Sequence, residues 1–316
     1  MFSAFSIPIS WTEVVKRTIK ETSADNVLGL AAQLAYYFLL ALVPALVFLV
    51  AMTSFFPSGV IDGMMNSAAG VMPPDMHSIL QEQMDALRGA DHGGILSFGL
   101  LMALWSSSAA LVAASDALNR AYDIEEGRPW WKVRLNAIMM TVALAVFVLA
   151  AFTLVVAGPD IARAIASRFG LGAAFTTVWN IVQWPVAFLL VVVAVALVYY
   201  LAPDADQDWV WITPGAVLAT VLWLLASLAF RFYVTNFADY NATYGSLGGV
   251  ILLMLWFYMS SLAILVGAEM NAEIEHASPY GKDPGEKVPG QKKKLGARAR
   301  RAWEERTRGS AAPPPA

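Results

Sequence analysis

Few residues in this sequence could do chemistry, and those few recur in six small constellations. Gln33, Tyr36 and Tyr37 share one helical face by i, i+3, i+4 spacing, with Pro44 on roughly the same side. Such a polar, kinked face is expected to look inward, either as an interhelical hydrogen-bond seam, the favoured reading, or as part of a substrate path. Trp105 is followed by Ser106, Ser107 and Ser108, three hydroxyls among small residues, suited to close helix packing or to a wet polar groove. Asp116, Asn119 and Arg120 repeat the i, i+3, i+4 spacing, and Asp116 with Arg120 can form an intrahelical ion pair. From Tyr122 to Arg134 a loop mixes bases with adjacent tryptophans. Arg128, Trp130, Trp131 and Lys132 there suit anchoring at a lipid headgroup interface better than catalysis. Between Asn236 and Gly249 lies a turn dense in polar residues and glycine, holding Tyr240, Asn241, Thr243, Tyr244 and Gly245. It can expose backbone amides to an anion, or simply cap the next helix. Finally Glu269 and Glu273 fall on one face with His276 a turn further, a pattern expected of a helix end reaching to water rather than of a metal site, for want of a fourth ligand.

The elements that position these groups are set by where charge is absent. The 316 residues are 58% hydrophobic and 14% charged, without cysteine, and the mean hydropathy is +0.57. That composition excludes a disordered chain, a disulfide scaffold and an ordinary soluble enzyme. Charge-free runs cover Val27–Ile61, Gly93–Ser115, Leu135–Pro159, Phe169–Pro203, Trp209–Phe230 and Tyr240–Ala268. Each reaches the roughly 20 residues a helix needs to cross a bilayer. The expected fold is therefore all-α, a polytopic membrane helix bundle with six transmembrane helices at about 28–56, 94–115, 135–158, 178–201, 209–230 and 246–268. Together they make a transmembrane domain over 28–276.

Orientation follows from the bases. Seventeen of the 21 Lys and Arg fall on the side of the amino terminus, leaving Arg88, Arg163, Arg168 and Arg231 on the other. Both termini are accordingly expected in the cytoplasm. Residues 1–27 hold Trp11, Val14, Val15, Thr18 and Ile19 at helical spacing opposite Glu13, Lys16, Arg17 and Lys20. This amphipathic segment suits the inner membrane surface or the end of the bundle. No signal peptide is read, because the first apolar run is too long for one. The outer segment 57–92 reads as a lid, and its His77 and His92 share no helical face for a metal. Residues 277–316 read as a basic, disordered cytoplasmic tail able to lie on an anionic inner leaflet through Lys292–Lys294, Arg298, Arg300 and Arg301. Between Lys282 and Arg308 only Trp303 supplies an aromatic platform, so nucleic acid is a disfavoured partner.

Several of these motifs together resemble the YihY/virulence factor BrkB family of bacterial inner-membrane proteins. The resembling segments are Ala35–Pro44, Trp105–Ser108, Asp116–Tyr122, Arg128–Lys132, Pro214-Gly215, Asn236–Gly248 and Gly267–Asn271, and they span about residues 28–276. The run Tyr240-Asn-Ala-Thr-Tyr-Gly-Ser-Leu-Gly248 is the most specific. One departure is Pro203-Asp204 with Asp206 and Asp208, where the family commonly has Pro-Asn followed by bases. A phosphate-binding role for that loop is not expected here. The family once carried a ribonuclease BN label, but the sequence has three His and no His-x-His-x-Asp run or paired-metal carboxylate set. The resemblance implies an inner-membrane protein associated with envelope integrity and host resistance in some members, and linked to movement of lipids or other envelope components.

The resulting expectation is a non-enzymatic carrier without cofactor or metal, acting on phospholipid or an envelope precursor. A polar groove of Gln33, Tyr36, Tyr37 and Ser106–Ser108 would be met at one mouth by Arg120 and Trp130–Trp131, with Asp116, Asn119 and Glu269 also on the substrate path. The other mouth would be the Tyr240–Gly248 turn. No Gly-x-x-x-x-Gly-Lys run offers an ATP site. The competing reading is a membrane scaffold recruiting partners through its basic tail. The sequence specifies no oligomeric state.

Overall fold

A computed structural model describes residues 9–53, 93–237, 247–278 and 281–288. The segment 57–92, the turn residues Tyr240, Asn241, Thr243, Tyr244 and Gly245, and the tail beyond 288 lie outside the described residues. Within them the chain forms eight helices and no strand. They are α1 Trp11–Ala24, α2 Val27–Thr53, α3 Gly93–Ala121, α4 Trp130–Val156, α5 Gly158–Phe169, α6 Gly172–Leu201, α7 Trp209–Phe237 and α8 Leu247–His276. Six of these, all but α1 and α5, are long and apolar enough to cross a membrane.

Local chemistry sets the helix boundaries. Ser10 caps α1 by accepting from the Glu13 amide at 3.3 Å. Asn26, at a φ of 52°, then turns the chain into α2. Asp123, at 56°, turns it out of α3, with the Ile124 amide bonded back to the Asn119 carbonyl at 2.7 Å. Asn and Asp tolerate this left-handed conformation better than other residues with a Cβ.

The bundle is packed through small side chains. The buried stripe of α2 is Val27, Leu30, Ala31, Leu34 and Ala35, which is i, i+3, i+4 spacing. It meets Ala114, Ala117, Leu118 and Ala121 of α3 and Leu265, Ala268 and Ala272 of α8. Small residues let helices approach closely where lipid offers no hydrophobic drive to associate. Large apolar side chains instead point outward, among them Leu135, Met139 and Val146 on α4 and Leu225, Leu228 and Phe232 on α7. This inverted distribution is what a lipid solvent permits and water does not.

The tightest crossing joins α7 to α8. A Cβ on Gly215 would collide with the Gly267 carbonyl and Asn271, and one on Gly267 would collide with the Gly215 carbonyl. Pro214 lies inside α7 and carries no N–H for the helical ladder. Asn271 compensates, accepting from the Gly215 amide at 2.6 Å and donating to the Ile212 carbonyl at 3.0 Å. Tyr199 adds a bond from α6 to the Ile264 carbonyl at 2.5 Å.

The helices outrun the charge-free windows at one end. α3 continues six residues past Ser115 to Ala121, α4 begins at Trp130 rather than 135, and α8 runs past Ala268 to His276. Charge-free windows mark hydrocarbon, whereas backbone hydrogen bonding carries a helix beyond it. Residues 172–177, ahead of the span expected at 178–201, form the first turns of α6, and the residues before them form the amphipathic α5.

Candidate functional site

The polar groups gather where α1, α3, α6 and α8 end and α2, α4 and α7 begin, referred to below as the polar end. Two clusters of opposite character share it. The first locks the loop 122–129 to the loop 202–208. Asn119 is its pivot, buried to 3% exposure. It donates to Glu126 Oε2 at 2.9 Å, and its Oδ1 accepts from the Asp204 amide at 2.8 Å. Arg128 forks onto Glu126, Nε to Oε1 at 2.9 Å and Nη2 to Oε2 at 2.7 Å. It also donates to the Ala202 carbonyl at 2.9 Å and faces Asp204 at 3.5 Å. Asp204 accepts from the Gly127 amide at 2.8 Å and pairs with Lys287. Burial pushes the Glu126 carboxyl up, but the bonds from Arg128 and Asn119 outweigh it and hold it at about 2. Those same bonds push the Arg128 guanidinium up.

Beside this lock lies a buried ion pair. Lys282 Nζ donates to Glu275 Oε1 at 2.6 Å, with the two side chains 2% and 1% exposed. Lys282 also bonds the Asp206 carbonyl at 2.7 Å and Gln207 Oε1 at 3.4 Å. Its neighbour Gly281 fits against the Glu275 carbonyl, where a Cβ would collide.

The second cluster is acidic. Glu269 on α8 is 1% exposed, and its Oε1 has no hydrogen-bond partner among the described residues. Asp25, in the α1–α2 link, adds its field to Glu269. Asp123, Glu21 and Glu273 add their fields to Glu269. The Asp25 carboxyl is pushed up by burial, then by Asp123 and Glu21. Beneath them Tyr122 is fully buried, and burial pushes its hydroxyl up, with the Glu275 charge next in effect.

Placement of the sequence-derived residues is uneven. Asn119 and Glu269 enter the polar end, whereas Asp116 and Arg120 form an exposed pair at 3.2 Å. Ser107 and Ser108 are buried, but their hydroxyls bond back to the carbonyls of Leu104 at 3.1 Å and Trp105 at 2.7 Å. Ser106 is half-buried. Trp130 and Trp131 are exposed, with Lys132 5.5 Å over the Trp131 ring.

Three expectations require correction. Gln33 and Tyr36 face outward, Tyr36 at 51% exposure, and Tyr37 is half-buried, because the small apolar stripe of α2 takes the inward side. Arg128 points into the loop lock rather than toward headgroups, since Glu126 and Asp204 attract it there. Glu269 is buried under α1 and the α3 end rather than reaching to water. Sequence reasoning also missed Asp204, Lys282 and Lys287. Their signal was an acidic loop without bases and two lysines at the tail root; residues 281–288, expected within a disordered tail, fold onto that loop. Arg134 was missed as well. Its guanidinium stacks 4.1 Å over the Trp105 ring, donates to the Trp105 carbonyl, and leaves Nε without a partner among the described residues.

Comparison with known proteins gives a consistent picture. The family model described as Virulence factor BrkB matches residues 18–291. A Bacillus subtilis protein named as ribonuclease-like, YfkH, is 38% identical over 242 residues, covering 77% of this chain and 88% of that protein. A UPF0761 membrane protein of Aeromonas salmonicida is 28% identical over 274 residues, 82% of this chain and 88% of its own. A UPF0761 membrane protein of Alkalilimnicola ehrlichii is 26% identical over 255 residues, 78% of this chain and 54% of its own. No solved structure matches the chain significantly.

Proposed function

Because the chain belongs to the virulence factor BrkB family of integral membrane proteins, we propose that it is a carrier for phospholipid or an envelope precursor in the bacterial inner membrane, with both termini cytoplasmic. The excess of bases on the side of the amino terminus supports that orientation.

Arg134 is the observation that carries the reading. It lies in the second turn of α4, and no Asp, Glu, Lys or Arg follows it in that helix. A guanidinium at such a site is costly unless it meets a counter-charge, and its planar donors match a phosphate. Trp105, 46% exposed, supports one of its faces. On α2 the outward Gln33 and Tyr36 offer neutral polar groups to a headgroup. Neutral donors ease passage without trapping it by charge pairing.

The experiment is transbilayer movement of labelled phospholipid in liposomes holding the purified protein. Movement should exceed that of empty liposomes, and Arg134→Gln should slow it about ten- to hundredfold, matching the loss of one charge-assisted hydrogen bond of ~1.5–3 kcal/mol. An Arg120→Ala/Tyr244→Ala protein that still folds reports whether the two mouths take part. Wild-type movement no faster than empty liposomes would sink the lipid reading.

One observation favours a scaffold instead: Lys282 and Lys287 pin the root of the basic tail to the bundle. Neutralising Lys292–Lys294, Arg298, Arg300 and Arg301 abolishes the activity of a scaffold and spares that of a carrier. We read the chain as non-enzymatic. RNA cleavage that is sensitive to chelator and lost on a single substitution would reverse that reading.

A further inference from the structure

Helix α1 carries an apolar face that the described bundle does not cover. Val14 and Thr18 form its inner side, 0% and 5% exposed. Val14 packs there with Trp211, Met270 and Ile274, joined at the edge by Ile9 and Leu218. Trp11, Val15 and Ile19 follow one another at i, i+4 and i+8 on the next side of the helix, and they are 60%, 51% and 66% exposed. Facing water, such a row would gain none of the free energy that apolar burial supplies.

Two observations identify what covers the row. The first is depth. Trp211 and Leu218 lie in the apolar span of α7, and Met270 and Ile274 lie in that of α8, so the inner side of α1 rests on helices that stand in lipid. Leu218 is about two turns into its span. The row beside Val14 therefore meets the boundary between headgroups and acyl chains rather than bulk water. The second is charge. Lys16 and Lys20 each follow a residue of the row by one position, about 100° further round the helix, and both are exposed. The acids of α1 lie elsewhere: Glu13 pairs with Arg17 at 3.3 Å on the side opposite the row, and Glu21, toward the inner side, stands 3.4 Å from the Lys20 ammonium. That ammonium still belongs to a side chain 81% exposed.

We propose that α1 is an in-plane anchor for anionic phospholipid: Trp11, Val15 and Ile19 enter the leaflet at the polar end, and Lys16 and Lys20 meet the phosphates of its headgroups. The lysine stems run beside the apolar row while their ammonium groups stay at the level of the headgroups, and the indole of Trp11 suits the same boundary. With its inner side on α7 and α8 and its outer side in the leaflet, α1 ties the position of those two helices to the membrane surface. The anchor holds whatever molecule the bundle carries, so it stands or falls apart from the carrier reading.

The chain has no cysteine, so one introduced thiol places a single fluorophore on the whole protein. With the label on Ile19→Cys, in liposomes of phosphatidylcholine and phosphatidylglycerol, phospholipid bearing a nitroxide on its acyl chain should quench the emission. The same label on Ala24→Cys, exposed on the opposite side of α1, should be quenched much less. At equal content, nitroxide-labelled phosphatidylglycerol should quench Ile19→Cys more strongly than nitroxide-labelled phosphatidylcholine, with a local enrichment of about fivefold for each lysine. Lys16→Gln/Lys20→Gln should bring the two lipids level, as should high salt. Quenching of Ile19→Cys no stronger than that of Ala24→Cys overturns the proposal, and is the result expected if a second copy of the chain or a soluble partner covers the row. Equal quenching by the two lipids with both lysines in place overturns it as well.

Discussion

The loop lock and the acidic cluster occupy the same end of the same bundle and are both built around carboxylates, yet they settle their charge by opposite means. In the lock and the ion pair beside it three acids each have a base within ion-pair distance: Glu126 has Arg128, Asp204 has Lys287 and Arg128, and Glu275 has Lys282. In the cluster, Glu269 and Asp25 stand among further acids. Matched charge makes a fastening, whose removal costs stability. Unmatched charge stores a dependence on pH, because it is tolerable only while a proton stands in for the missing base.

Breaking the fastening should give the largest effect. Lys282→Met leaves Glu275, 1% exposed, without its cation, and stranding one partner of a buried pair costs about 3–5 kcal/mol. Unfolding in detergent micelles should show that loss, while the double variant Lys282→Met/Glu275→Leu should recover most of it, since an apolar pair of similar volume is often as stable as the ions it replaces. A double variant no better than the single one would mean that the bonds from Lys282 to the Asp206 carbonyl and Gln207, rather than the charge, hold the tail root.

A smaller loss is expected at the α7–α8 crossing. Asn271→Ala removes the buried bonds that its side chain makes to the Gly215 amide and the Ile212 carbonyl beside Pro214. Leaving a buried polar group unpaired costs about 1–3 kcal/mol. Asn271→Asp sharpens the test, since a carboxylate can accept from the Gly215 amide but cannot donate to the Ile212 carbonyl. Its unfolding midpoint should not return to that of the wild type, and full recovery would show that the donated bond carries no weight.

How much of this was legible in the sequence depends on whether a feature is read along the chain or across it. The six spans, the amphipathic α1 and the Asp116–Arg120 pair are local, written in charge-free runs and helical spacing, and the structure has each of them. The loop lock is not local. Asn119, Glu126 and Arg128 stood out as a polar helix end and a headgroup loop, but their partner Asp204 lies some seventy-six residues beyond Arg128, and Lys287 further still. The acids of 204–208 looked like a mere departure from the family pattern until the bases of 281–288 were seen folded against them. Glu269 was misjudged for a related reason. Its position near the end of an apolar run suggests a side chain reaching to water, and only the docking of α1 and the α3 terminus over it reverses that. Gln33 and Tyr36 show the inward rule failing because alanines on the other face of α2 compete better for a close helix contact than polar side chains do.

The smallest effects are those of pH on the two clusters, because Glu126 and Asp25 both keep contact with solvent that screens them, and there the signs are opposed. Glu126 titrates at about 2 when folded, below the value of about 4.3 expected of an unfolded Glu. Its contribution is therefore fully present above the unfolded value and is lost as pH falls from there toward about 2. Asp25 is displaced upward on folding, so the folded state binds its proton more tightly than the unfolded chain does. Acidification through the folded value of Asp25 thus stabilises the protein. Lowering the pH from neutrality should first raise Tm and then lower it. Asp25→Asn should remove the rise and leave the fall, whereas Glu126→Gln should remove part of the fall and leave the rise. A single monotonic decline in the wild type, unchanged by Asp25→Asn, would mean that the acidic cluster is paired after all and that the contrast between the two clusters does not extend to their chemistry.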